Sequence, residues 1–132
     1  MKALVVDDDE TSRQFLVEIM SSFAEVDCSA DGSDGVAAAR QALIMRQPYD
    51  LICMDILMPM MNGLDALQSI RRDEGAHGYP RASRVIVISS SDEANNIEQA
   101  FGNLCDAYLV KPIDGPKLLD ILACLCDFDL PA

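Results

Sequence analysis

The sequence predicts an α/β fold: a doubly wound, mostly parallel sheet with helices on both faces. Three observations predict it. Five short strand-like segments alternate along the chain with stretches of helical spacing. Four of them are continuously apolar, which fits strands covered on both sides; the one at 25–30 is not. Four of them end directly on a charged or hydroxyl residue. Parallel neighbours need a crossover between them, and such crossovers are right-handed, so helices cover the sheet on both sides.

β1 is expected over 3–6, Ala3-Leu4-Val5-Val6, running into Asp7-Asp8-Asp9-Glu10. α1, over 12–23, carries Phe15, Leu16, Ile19, Met20 and Phe23 at helical spacing. β2, over 25–30, is weaker and closes at Asp31-Gly32. α2, over 33–45, is Ala-rich, lacks Gly after Gly35, and is ended by Gln47-Pro48. β3, over 51–54, terminates at Asp55, and α3, over 64–72, sets Leu64, Leu67 and Ile70 on one side. Residues 73–83 hold Gly75, Gly78 and Pro80 and read as a loop. β4, over 85–88, is wholly β-branched. Ser90 followed by Glu93 has capping-box spacing for α4, over about 91–101. β5 covers 107–110, and α5 covers 116–128 with Pro116 near its first turn.

A chain of 132 residues is expected to form one domain, 1–132, and its 50% hydrophobic content fills a core and argues against disorder. Ten Lys+Arg against 22 Asp+Glu give a net charge of −12, which opposes direct binding to nucleic acid or an anionic membrane. No secretory leader and no apolar stretch near the ~20 residues of a membrane span is recognisable, so a cytoplasmic location is expected. Five cysteines, an odd number without framework spacing, suggest reduced and mostly buried thiols.

Ligands of doubly wound sheets sit beyond the carboxyl ends of the strands, where strand order reverses. If the order is 2-1-3-4-5, Asp7, Asp8 and Asp55 crowd together there. Carboxylates so close repel, and a hard divalent ion relieves them. Mg²⁺ suits best, because it takes one or two protein carboxylates and leaves positions for phosphate oxygens. Lys111 at the end of β5 adds a fixed cation, and Ser89 at the end of β4 adds a hydroxyl. Together these are the parts for phosphoryl transfer onto a carboxylate.

Val5-Val6-Asp7-Asp8, Met54-Asp55-Ile56-Leu57-Met58-Pro59 with Asn62-Gly63, Val87-Ile88-Ser89-Ser90 and Tyr108-Leu109-Val110-Lys111-Pro112 resemble the receiver domain of two-component response regulators. The resemblance runs from about residue 2 to 125. It implies the flavodoxin-like strand order 2-1-3-4-5, and a phosphoacceptor switch rather than an enzyme. Asp55 is then the phosphoacceptor, served by a sensor histidine kinase or a histidine phosphotransfer protein. The implied Mg²⁺ ligands are Asp8, Asp55 and the backbone carbonyl of Leu57, with Asp7 acting mainly through water. Lys111 and Ser89 then hold the phosphoryl group, Tyr108 follows the β4–α4 loop inward, and the Lys111-Pro112 bond is cis. Three departures from the family stand out. Serine occupies position 89, where threonine is common. Asp9 extends the acidic pair and is expected to face solvent. The 73–83 loop is long, and His77 within it is expected to be exposed filler.

Asp7-x-Asp9-x-Thr11 is also similar to the first motif of haloacid-dehalogenase-type phosphatases, with Asp7 as nucleophile and Asp9 as acid/base. That alternative leaves Asp55 without a role and lacks the family's later acidic motif. A third reading is a receiver-like interaction module that acts without phosphate. The resemblance implies a downstream protein target, and the chain reads either as a stand-alone receiver or as one domain of a larger hybrid kinase. On α5, Leu118, Leu119, Ile121, Leu122, Leu125 and Phe128 cover about half the circumference. Either this helix is simply well buried, or part of the face is left for a partner or a homodimer. Met58, Met60 and Met61 lie in the loop over the acceptor, as filler or as adaptable contacts for a partner helix.

Overall fold

The computed structural model describes residues 1–56, 61–89 and 102–126. Its strands are β1 (Lys2–Val6), β2 (Glu25–Ser29), β3 (Leu51–Asp55), β4 (Arg84–Ser89) and β5 (Ala107–Val110). They pair in parallel in the order β2-β1-β3-β4-β5, the order that the family resemblance implies. The helices are α1 (Glu10–Met20), α2 (Gly32–Ile44), α3 (Gly63–Ala76) and α5 (Gly115–Cys126). The expected α4, with its Ser90 and Glu93 capping box, lies outside the described residues, as do Leu57, Met58, Met60 and Phe128.

Side chains alternate across a strand, so each continuous apolar run supplies two cores at once. Leu4, Val6, Ile52, Met54, Val85 and Val87 point to one side, where α2 and α3 cover them with Val36, Ala39, Leu67 and Ile70. Ala3, Val5, Leu51, Cys53, Ile86, Ile88 and Leu109 point to the other, where α1 and α5 cover them with Leu16, Met20, Leu118 and Leu122. β2 is an edge strand with an open outer side, which leaves Cys28 exposed. Cys124 on α5 is exposed as well and Cys105 is half-buried, so of the described cysteines Cys53 alone is fully buried. The expectation of mostly buried thiols is corrected accordingly. Leu118 and Leu122 of the α5 stripe belong to the core, while Leu119, Ile121 and Leu125 are half-covered.

Helix ends depart from the sequence reading for local reasons. α1 starts earlier than expected because Asp9 takes the N-cap position, exposed as anticipated, with its carboxylate accepting from Ser12 Oγ at 2.7 Å. Asp31 and Asn62 cap α2 and α3 by accepting from the backbone N–H of Asp34 and Asp65. α2 ends before Pro48 is reached. Arg46 adopts φ 59°, and the N–H groups of Arg46 and Gln47 turn back to the carbonyls of Leu43 and Ala42.

α3 runs one turn beyond its expected end, through Gly75, which shortens the connection expected over 73–83. Glu74 explains the extension. It is 1% exposed, pairs with Arg71 Nη1 at 2.8 Å, and accepts from the N–H groups of Ala82 and Ser83 at 3.0 and 2.9 Å. A mid-helix glycine costs only about 1 kcal/mol relative to alanine, less than those contacts contribute. His77 is the C-cap residue, half-buried rather than exposed filler, with Nδ1 at 2.9 Å from the Asp73 carbonyl.

Candidate functional site

Parallel register brings the acids together. Val6 pairs with Met54, so Asp7 and Asp55 leave adjacent strands side by side at the reversal of strand order. Each of Asp7, Asp8 and Asp55 offers a carboxylate oxygen, and these oxygens all lie within 4.8 Å of one another. Asp7 is fully buried, Asp55 is 5% exposed, and Asp8 faces solvent. Like charges at that spacing are costly, and one cation answers two of them. Lys111 Nζ, at the end of β5, sits 3.4 Å from both Asp7 Oδ2 and Asp55 Oδ2. At that length these are ion contacts rather than well-aligned hydrogen bonds.

Burial pulls the pKa of the Lys111 ammonium down, but the carboxylates of Asp55 and then Asp7 outweigh it, and the net shift is upward. A lysine pKa raised on folding contributes stability below the unfolded value, lost only as pH climbs through the folded one. The clamp is therefore intact at neutral pH.

Ser89 closes β4 one residue beyond Ile88, which registers with Asp55. It is 1% exposed, and its Oγ finds no partner among the described residues. A buried hydroxyl without a partner costs free energy unless an acceptor arrives. The Lys111 N–H donates to the Ser89 carbonyl at 2.7 Å, locking the two strand ends together. The Lys111-Pro112 bond is cis. Tyr108 stands 40% exposed on β5.

The structure thus brings together Asp7, Asp8, Asp55 and Lys111, places Ser89 at the adjoining strand end, and leaves Leu57 outside the described residues. The donor set, three carboxylates with Asp7 Oδ2 buried and lacking a hydrogen bond, fits a hard divalent cation such as Mg²⁺. Asp9, the acid/base of the phosphatase pattern, instead stands at the N-cap position of α1, and hydrogen-bonding from the Ser12 hydroxyl holds its carboxyl below the usual range.

Two further residues support the site: Arg13, which carries no sequence signature of its own, and Gly63 of the Asn62-Gly63 pair. Arg13 Nη1 donates to the Asp7 carbonyl at 2.8 Å. Gly63 lets α3 start hard against the acceptor strand: its N–H donates to the Ile56 carbonyl at 2.8 Å, and an added Cβ would lie 2.6 Å from the Asp55 carbonyl oxygen and 2.8 Å from Ile56 Cα. Both obstacles are backbone. Gly63→Ala is therefore expected to cost about 1–3 kcal/mol, read as a lower urea midpoint; an unchanged midpoint contradicts the close approach.

A family model described as response regulator receiver domain matches residues 3–123. Among curated relatives, the chemotaxis protein CheY of Halobacterium salinarum is 30% identical over 125 residues, which cover 92% of this chain and 93% of that protein. The osmosensing histidine protein kinase SLN1 of Saccharomyces cerevisiae is 26% identical over 128 residues, 96% of this chain but only 10% of the kinase's own length. Among solved structures, the receiver domain of sensor histidine kinase PA1611 from Pseudomonas aeruginosa aligns with a TM-score of 0.77 and 27% identity, covering 96% of this chain and 98% of that one. That structure holds a magnesium ion coordinated in its active-site cleft. Among the described residues, no helix is long and apolar enough to cross a membrane.

Proposed function

The chain belongs to the family of response regulator receiver domains of two-component signalling systems, and we propose that it accepts a phosphoryl group on Asp55 from the phosphohistidine of a sensor kinase or phosphotransfer protein. The observation that carries this reading is the Asp7–Asp8–Asp55 cluster with Lys111 at 3.4 Å from two of its members. An Asp55 carboxylate oxygen attacks phosphorus, the P–N bond breaks, and the imidazole nitrogen leaves with the bonding electron pair. Asp8 and Asp55, with the Leu57 carbonyl and with Asp7 through water, would hold Mg²⁺. Once bound, that ion would neutralise charge on the phosphoryl oxygens.

Lys111 pairs with one phosphoryl oxygen, and the Ser89 hydroxyl, lacking a partner in the described fold, donates to another. Phosphorylation roughly doubles the negative charge at Asp55 and adds acceptor oxygens. Two or three charge-assisted hydrogen bonds at about 1.5–3 kcal/mol each total about 3–9 kcal/mol, a range that brackets the ~5.5 kcal/mol that drives a two-state element from mostly off to mostly on. Tyr108 then follows the β4–α4 connection, and the altered surface meets a downstream protein target. The chain is a switch that assists its own modification rather than an enzyme acting on a separate substrate.

Incubation with acetyl phosphate and Mg²⁺ tests this reading. Intact-mass spectrometry is expected to show one added phosphoryl group per chain, and EDTA to abolish the gain. Uptake undiminished by EDTA contradicts the metal assignment, and no uptake from acetyl phosphate or from a panel of phosphorylated kinases contradicts the acceptor role.

A further inference from the structure

We propose that Arg13 is a positioning residue for the acidic site, holding the Asp7–Asp8 peptide so that the Asp8 carboxylate is aimed at the cation. The inference rests on the Mg²⁺ reading above and adds a residue that the site motifs do not contain. Helical side chains lean toward the amino end, so an arginine in the first turn of α1 reaches back over the strand end that precedes it. Its Nη1 donates to the Asp7 carbonyl at 2.8 Å.

That carbonyl needs a donor. β1 pairs with its neighbours only as far as Val6, and the Asp7 N–H makes the last bond to the sheet edge, to the Ser29 carbonyl at 3.1 Å. Asp7 Oδ1 is fixed by the Asp9 N–H at 2.9 Å. Arg13 thus completes a cage around Asp7 and fixes the plane of the peptide that leads into Asp8. Asp8 itself is exposed and accepts no hydrogen bond among the described residues, so its direction is set by that backbone. Groups that orient a metal ligand from outside the coordination shell alter affinity as the ligands do, more weakly.

The sign of the effect separates positioning from charge. A guanidinium that acted only as a nearby cation would repel Mg²⁺, and its removal would tighten binding. A guanidinium that aims Asp8 gives the opposite result. Mg²⁺ is titrated by calorimetry into the full chain, wild type, Arg13→Ala and Arg13→Gln, with urea unfolding measured in parallel without metal. The dissociation constant is expected to rise about tenfold in Arg13→Ala, with Arg13→Gln, which keeps an amide donor, in between. If Arg13→Ala does not fold, Arg13→Gln carries the comparison alone. An equal or lower dissociation constant in the variants, with or without a fall in the urea midpoint, overturns the positioning role and leaves the Mg²⁺ reading standing. Wild-type protein that takes up no Mg²⁺ overturns both.

Discussion

Asp55→Asn is expected to take up no phosphoryl label from acetyl phosphate under conditions that saturate the wild type, while Asp7→Asn still takes up label at a reduced rate. The amide of asparagine has no anionic oxygen to attack phosphorus, and no described residue near it replaces one: Asp7 Oδ2 is buried against Lys111, and Asp8 faces solvent. A phosphatase with Asp7 as nucleophile gives the reverse pattern, so the pair of variants separates the two chemistries in one experiment. Asp55→Asn carries a second expected result. Without metal, three carboxylates share one ammonium, and removing one charge relieves more repulsion than it loses attraction to Lys111. Metal-free Asp55→Asn is expected to gain on the order of 1 kcal/mol in urea unfolding at low salt, with the gain shrinking as salt screens the cluster. A metal-free loss of stability contradicts the strained-cluster account.

All strands but the exposed edge strand β2 were legible because burial on both faces leaves few alternatives to a continuous apolar run, and β5 appears with the expected bounds. The site residues were legible because each stands directly after such a run. Strand order was not derivable from the runs themselves and came from the motif resemblance. Helix ends were misread where tertiary contacts outweigh local signals. Gly75 reads as a breaker, yet burial of Glu74 draws α3 past it. Pro48 reads as the stop for α2, yet the turn at Arg46 comes first. Arg13 was invisible for a different reason. Its partner is a main-chain carbonyl, which every residue possesses, so only the spacing between a strand end and the first helical turn could have pointed to it.

Glu74→Ala is expected to be strongly destabilising although it lies away from the acidic site, by about 3–5 kcal/mol. Two effects combine. The Ala82 and Ser83 N–H groups lose the acceptor Glu74 Oε2, and Arg71 loses its closest counterion while its guanidinium remains largely buried. Arg71 is otherwise held by the carbonyls of Leu104 and Ser83 and by a longer ion pair to Asp106 at 3.5 Å, which offsets only part of the lost charge. Breaking one side of a buried pair costs more than the pair ever contributed, because the remaining charge stays desolvated. The melting temperature is expected to fall by roughly 10–20 °C. Glu74→Gln keeps an acceptor oxygen for the loop and is expected to lose about half as much. The network joins the end of α3 to the amino ends of β4 and β5, whereas Asp55, Ser89 and Lys111 stand at the carboxyl ends. Phosphoryl uptake at a temperature where the variant is still folded is therefore expected to match the wild type. A loss below about 1 kcal/mol contradicts the buried-pair account, and impaired uptake by folded protein contradicts the separation of the clamp from the site.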